Sequence, residues 1–394
     1  MDFDFSPAEQ TFADEVEQWL VENHDPVVMD PTRENFSQLA DTPERRDFMK
    51  KLAKQGWLGM SWPKQYGGQE IEGVYYEFIL NEALSRHAAP QIGKGVGIIG
   101  KTLIRHGSDF LKAEFLPKIL SAEVEFAVGY SEPEAGSDAA NMQLKAEKVD
   151  GGWNLNGQKM WTTSAHFADW YWVGARTDPD KPKHDGLSLF LIPMNHAGLE
   201  IQSLPTIGKD TTNQVFFTDV FVPDAYLVGK RGQGFQMIAE ALDLERFTMF
   251  TLSPISERTR VLVDWAKTAT RDDKPIRENP DTRRLIANIV TDSAVAKALS
   301  TRFVCAARAG GKPPTIQSSQ YKLFTTTLSQ RVCDEALDIT GAAGTIREGQ
   351  DEAPIRGRFE GAYRATMNET VGGGSSEIQK NIIARRHLGL PKNF

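Results

Sequence analysis

The hydrophobic period of this chain changes twice, and that double change constrains its fold more than any other feature. Up to about Ala122 apolar residues recur at helical spacing. From Glu123 to about Gln233, Trp153–Gly157, Trp170–Val173, Leu187–Ile192 and Gln214–Val222 read as short strands between Gly, Pro, Asp and Asn turns. Beyond Gly232 the helical period returns, as in Leu285, Ile289, Ala296, Leu299 and Phe303, and again in Tyr321, Phe324, Leu328, Val332 and Ile339. Strands packed this closely with no helix between them predict a small antiparallel barrel or sandwich, and successive amphipathic helices predict a bundle. The expected fold is therefore α+β and multidomain: an all-helical domain over 1–122, an antiparallel β-barrel over 123–232 and a four-helix bundle over 233–394.

Local signals refine this. Ser6, Pro7 and Glu9 form a capping box that starts a helix. Gly59–Gly68 reads as loop, Ile92–Ile104 as a buried helix, and Leu187–Ile192, apolar on both faces, as a central strand. Bundles of this kind bury leftover apolar stripes against another subunit, which predicts an oligomer.

Charge and composition exclude several functions. A net charge of −8, with no basic run, argues against nucleic acid as a partner. With Cys305 and Cys333 alone, thiolate metal clusters are excluded, and a reducing, cytoplasmic setting is expected. The acidic start lacks the character of a signal or transit peptide. No stretch reaches the roughly 18 uninterrupted apolar residues of a membrane span.

One carboxylate stands out. On a helical wheel over Met237–Leu252, Glu245 shares the apolar sector with Ile238, Ala241, Leu242, Met249 and Leu252. Burial there disfavours the charged form and moves the group toward the range of a general base, unless it serves only as a structural partner of Arg246 or another cation. Two further segments carry chemistry: Phe126–Asp138, and Asn156–Thr163 after an Asn-Gly turn. Neither has the glycine spacing of a Rossmann phosphate loop.

Taken together these two segments resemble the acyl-CoA dehydrogenase family. The resemblance runs on through LPKILSAEVEFA, GLSLFLIPM, NQVFFTDVFVP and GGGSSEIQKNIIARRHLGLP. It implies FAD as cofactor, bound between the middle and C-terminal parts with help from a neighbouring subunit. Val128, Tyr130 and Ser131 match the segment along the flavin, and Trp161 and Thr163 the pair at its ring. Ser375 and Glu377 match pyrophosphate and ribose contacts, where many members carry Thr and Gln. Ser137 matches a contact to the CoA thioester arm. Many members place the base just before the Gly-Thr/Ser of the last motif, but here that position is Gly373, which cannot take a proton. Branches resembling isovaleryl-CoA and long-chain acyl-CoA dehydrogenases put it before an Arg in the first bundle helix, and Glu245 precedes Arg246. Wheel and resemblance select the same residue as base.

The resemblance further implies that the Gly373 amide and a ribityl hydroxyl hold the thioester carbonyl. Arg246 would neighbour Asp243 and the CoA arm, the alternative being an exposed helix cation; an acyl chain needs an apolar channel, and Met249, Phe250 and 92–99 suit its wall and a plain core equally. The product would be a trans-2,3-enoyl-CoA, with electrons passing to an electron-transferring flavoprotein. The chain departs from the family pattern after the first bundle helix, where Phe-Gly is missing. Arg271 is read equally as a pyrophosphate contact and as part of a solvated charge cluster. Asp338 replaces a common Gln, so the contact there is either absent or made by the Gly341 backbone. Details of the last motif look closest to members acting on branched or ring-bearing acyl groups. A homotetramer or homodimer is implied, with a heteromer as the variant. The rivals are an oxygen-using flavin oxidase on the same fold and a non-catalytic subunit of a larger dehydrogenase.

Overall fold

The computed structural model describes residues 4–33, 38–71, 75–249, 251–308 and 314–391, with side chains throughout except at 243–249 and 308. Five helices come first: α1 (Pro7–Glu22), α2 (Pro43–Ala53), α3 (Tyr75–Arg86), α4 (Lys101–His106) and α5 (Asp109–Leu120). The capping box is formed as read: the Glu9 amide donates to Ser6 Oγ at 3.3 Å and the Ser6 amide to Glu9 Oε2 at 2.7 Å. Two donors that no helix turn can satisfy are thereby paired. Phe12, Val16 and Leu20, one turn apart, are buried, and α1 packs on α3.

The predicted buried helix between 92 and 104 contains a π-helical stretch, Gly95–Gly100, leading directly into α4. Its glycines permit close approach. A Cβ on Gly100 would lie 2.1 Å from the Trp62 ring, and one on Gly95 3.3 Å from Phe126. This wide turn packs against the first helix of the C-terminal part.

The middle part holds β1 (Phe126–Gly129), β2 (Lys145–Val149), β3 (Gly152–Lys159), β4 (Trp170–Arg176), β5 (Leu187–Pro193), β6 (Leu199–Pro205), β7 (Thr211–Pro223) and β8 (Leu227–Val228). The order is β6-β7-β3-β2-β4-β5-β8, with β1 also on β4, and the sheet is not closed. The expected antiparallel barrel is corrected in two respects. First, β1 and β2 both run parallel to β4, because they share one edge of it, β1 along Trp170–Val173 and β2 at Arg176. Second, the halves β6-β7-β3-β2 and β4-β5-β8 share a core but pair as strands only at Lys145 and Arg176, and β8 offers just two residues, so no ladder joins the ends. The strand expected to be central, β5, is next to last in this order, covered on its outer edge only by the two residues of β8, yet it is buried on both faces. Leu187, Leu189 and Leu191 enter the core shared with the N-terminal helices, and Phe190 and Ile192 enter the core on the other side.

The C-terminal part is helical: α6 (Gly234–Met249), α7 (Ser253–Ala266), α8 (Pro280–Arg308), α9 (Thr315–Thr340), α10 (Arg358–Thr366) and α11 (Ser376–Ile382). Of the anticipated stripes, Ile289, Ala296 and Phe303 are buried, as are Tyr321, Leu328, Val332 and Ile339. The helices α7, α8 and α9 pack on one another, and α10 and α11 lie on α9. By contrast, α6 contributes Met237, Ile238 and Ala241 to the core of the N-terminal helices while also touching β5 and α9. It stands at the junction of all three parts. Among the described residues no helix is long and apolar enough to cross a membrane, and no cluster of side chains could hold a metal.

Candidate active site

The first site segment leaves the sheet at β1. Gly129 is required there, since a Cβ would lie 2.4 Å from the Tyr171 hydroxyl. Val128 is half-buried, and the Tyr130 hydroxyl accepts a hydrogen bond from Trp172 Nε1 at 2.8 Å. Glu132 follows, buried at 7% exposure, and its carboxylate accepts from the amides of Gln143 (2.5 Å) and Leu144 (2.9 Å) and from Lys159 Nζ (2.7 Å). Lys159, on β3, is fully buried. That burial pulls its ammonium down to about 8, with Glu132 opposing the fall. Its Nζ also reaches the Tyr130 carbonyl at 3.5 Å. Ser137, further along, is exposed.

The second segment follows β3. The Met160 amide donates to the Ser131 carbonyl at 2.9 Å, which joins the two segments side by side. Trp161 has φ +59° and is 58% exposed, an uncommon backbone state for a bulky residue and a large apolar surface left in the open. The turn is held from below. The Thr162 hydroxyl pairs with the Tyr171 hydroxyl at 2.8 Å, its amide donates to the Asn213 carbonyl at 2.9 Å, and Asn213 Nδ2 returns a bond to the Thr162 carbonyl at 2.8 Å. A rigid, exposed indole beside a row of backbone groups suits a planar ring, so these residues fit a flavin. Thr163 also lines a cavity of about 470 Å³ shared with Asp41, His166, Lys209 and Glu348. With charges of both signs on its walls, that space is unlike an apolar acyl channel.

Glu125 immediately precedes β1. Burial pushes its carboxyl up to about 7, with Asp169 adding to the rise while Arg46 and Lys94 oppose it. A raised folded-state pKa means that its contribution to stability is present at low pH and is lost as pH rises from the ordinary carboxylate range through about 7. Glu125→Gln is therefore expected to raise the melting temperature more at pH 8 than at pH 5. Equal shifts in thermal scans at the two values would exclude this.

The third group is C-terminal. Gly373 (φ +63°) and Gly374 (φ +87°) form a left-handed turn that leads into α11. Ser375 caps that helix, its Oγ accepting from the Ile378 amide at 3.4 Å. Glu377 is exposed, and hydrogen bonds from its own amide and the Ser375 hydroxyl hold its carboxyl below the ordinary range. Arg271 and Gly341 are neighbours. The Arg271 guanidinium donates to the Ile339 carbonyl, and a Cβ on Gly341 would lie 3.2 Å from Arg271 Nη2. Asp338 is exposed. Asp243, Glu245, Arg246 and Met249 lie among the residues whose side chains are not described, and Phe250 lies outside the described residues.

Sequence reasoning assigned no role to Lys159, Glu132, Lys322 or Gln379, all buried at or near these segments. For Lys322 a signal existed. Ser318, Ser319, Lys322, Thr325, Thr326 and Ser329 recur at helical spacing on α9 and are all buried, a polar stripe beside the apolar one.

Comparison with known proteins gives matches along the chain to the N-terminal domain of acyl-CoA dehydrogenase over residues 6–123, its middle domain over 127–220 and its C-terminal domain over 232–388. The acyl-CoA dehydrogenase IpdE1 of Mycolicibacterium smegmatis is 33% identical over 414 aligned residues, covering 97% of this chain and 98% of the relative. Among solved structures, the Tcur3481-Tcur3483 steroid ACAD is similar with a TM-score of 0.89 and 28% identity, covering all of both chains. The ChsE4-ChsE5 complex from Mycobacterium tuberculosis matches with a TM-score of 0.86 and 27% identity, again over all of both chains.

Proposed function

From the premise that this chain belongs to the acyl-CoA dehydrogenase family, FAD-dependent oxidoreductases acting on CH–CH bonds, we propose that it dehydrogenates a branched or ring-bearing acyl-CoA between its α and β carbons. Val128, Tyr130, Ser131, Trp161 and Thr163 hold the flavin ring, while Ser375, Glu377, Arg271 and Gly341 serve the diphosphate end. When bound, FAD supplies the acceptor for the hydrogen that leaves the β carbon with its electron pair. The chain's own residues do the rest. The Gly373 amide donates to the thioester carbonyl and stabilises the charge that develops there, which acidifies the α proton. Glu245 removes that proton. Ser137, Asp243 and Arg246 hold the CoA arm. The product is a trans-2,3-enoyl-CoA, and an electron-transferring flavoprotein is the electron acceptor.

The observation that carries this reading is the 2.9 Å bond between Met160 and Ser131, which sets the first segment beside the exposed, rigidly held Trp161. Similarity to a steroid dehydrogenase supports a ring-bearing substrate. Similarity to a chain of the ChsE4-ChsE5 complex supports assembly with a related chain as well as with copies of itself. Cys305 and Cys333 are not joined in a disulfide, which suits a reducing cytoplasm.

The test is anaerobic titration of the purified protein with acyl-CoAs of differing length, branching and ring content, followed at the flavin absorbance near 450 nm. A yellow protein that bleaches with at least one thioester, most readily with a bulky one, is expected. A colourless protein that takes up no FAD would favour the non-catalytic subunit, and rapid return of colour in air with peroxide formation would favour an oxidase.

A further inference from the structure

The Gly372–Gly374 turn is a problem in conformational entropy. Glycine has wide freedom at φ and ψ, and here two successive residues sit at φ +63° and +87° with no side chains of their own to hold them. A backbone amide that must meet a developing charge to within a fraction of an ångström cannot be left to that freedom.

The turn is tied down from two helices. Lys322 of α9, 1% exposed, donates from Nζ to the Gly374 carbonyl at 2.5 Å and to the Glu369 carbonyl at 3.4 Å. Gln379 of α11, fully buried, donates from Nε2 to the Gly374 carbonyl at 3.0 Å and to the Gly373 carbonyl at 3.4 Å. On the near side the Gly372 amide donates to the Asn368 carbonyl at 2.9 Å. Because peptide units are planar and trans, holding a carbonyl also fixes the amide on the other side of the same unit. The bond to the Gly374 carbonyl sets the Ser375 amide, and the pair of ties after Gly373 with the one before it brackets the Gly373 amide. A buried ammonium is a costly means of holding a turn, and a charge-assisted bond is correspondingly the strongest of these ties.

We propose that Lys322 is a positioning residue for the reaction: it locks the glycine turn so that the Gly373 amide meets the thioester carbonyl and the Ser375 amide meets the cofactor. The inference rests on the reading of Gly373 and Ser375 given above. In this reading Lys322 acts through the turn, by the Gly374 and Glu369 carbonyls it holds. Gln379 supports the same carbonyls from the opposite side.

The experiment compares Lys322→Met, which keeps the length and removes the donor, with Lys322→Arg, which keeps a donor, as FAD-loaded proteins. The probe is whichever of butyryl-, isovaleryl-, octanoyl- and cyclohexanecarbonyl-CoA bleaches the wild type fastest. Displacement of a catalytic donor by about 1 Å costs on the order of 100-fold, so Lys322→Met is expected to lose that much in the rate of flavin bleaching per bound FAD. Lys322→Arg should recover a clear part of it. The α-proton exchange of the bound thioester with D2O should fall in parallel, since exchange depends on the carbonyl being held. A rate per bound FAD within about threefold of wild type, or a loss that tracks only the melting temperature, overturns the proposal. If Lys322→Met does not fold, Lys322→Gln, a shorter neutral donor, carries the same comparison with the same two outcomes. If wild type takes up FAD and bleaches while the variants match it, only this inference falls. If wild type takes up no FAD or no thioester bleaches it, the functional reading falls and the inference with it.

Discussion

Glu245→Gln leaves FAD bound and slows flavin bleaching by acyl-CoA by about 10²–10⁴-fold, the range that a positioned general base contributes. The expectation rests on three observations that do not depend on one another. Glu245 lies in the apolar sector of its helical wheel, where burial raises a carboxylate toward the range of a general base. The helix that carries it, α6, stands at the junction of the three parts, against the π-helical Gly95–Gly100 stretch, α3 and α9. The alternative position for a base holds Gly373, which has no proton acceptor. Glutamine has nearly the volume of glutamate, so binding should survive and the chemical step alone should fail. Stopped-flow absorbance under anaerobic conditions separates the two. Full-rate bleaching by the variant would move the base elsewhere, and loss of flavin would mean that Glu245 has a structural role instead.

The second large effect is on stability. Lys159→Met is expected to cost about 3–5 kcal/mol, because it strands the Glu132 carboxylate in the interior with only two amides to hold it. Lys159 is fully buried and Glu132 is 7% exposed, so solvent cannot replace the lost partner. Removing both charges in Lys159→Met with Glu132→Leu should restore part of the loss, since an apolar pair no longer has to be desolvated, although the Gln143 and Leu144 amides then lose their acceptor. Chemical denaturation of the single and double variants measures both terms. A single variant within about 1 kcal/mol of wild type would show the pair to be worth no more than a surface one. FAD affinity should fall with Lys159→Met as well, since Lys159 ties both Tyr130 and Glu132 to β3 behind the backbone proposed to face the flavin.

These two predictions draw on different kinds of information. The proposal for Glu245 comes from a wheel and a motif, whereas the Lys159–Glu132 pair is recognised only when β3 and the loop after β1, 27 residues apart, are brought together. A lysine in a strand reads as solvent-facing by default, and nothing local in Gln158-Lys159-Met160 says otherwise. Lys322 lies between these cases. Its stripe of buried hydroxyls is periodic and legible, but its target, the carbonyl of Gly374, is 52 residues away.

The order of helix, sheet and helix, the capping box of α1, the two-faced burial of β5 and the apolar stripes of α8 and α9 were all determined by the sequence alone, because each follows from the periodicity or chemistry of adjacent residues. Tertiary structure alone decided that the sheet stays open, since closure depends on which strands share the edge of β4 and not on any strand's own pattern. It also decided that the Gly95–Gly100 turn widens to a π-helix beside Trp62, that Trp161 is held exposed on a left-handed residue, and that buried lysines from β3 and α9 reach the two backbone segments of the candidate site. The physical reason is the same each time: a buried polar group or a close backbone approach is defined by what faces it across the fold, and only packing brings those partners within a few ångströms.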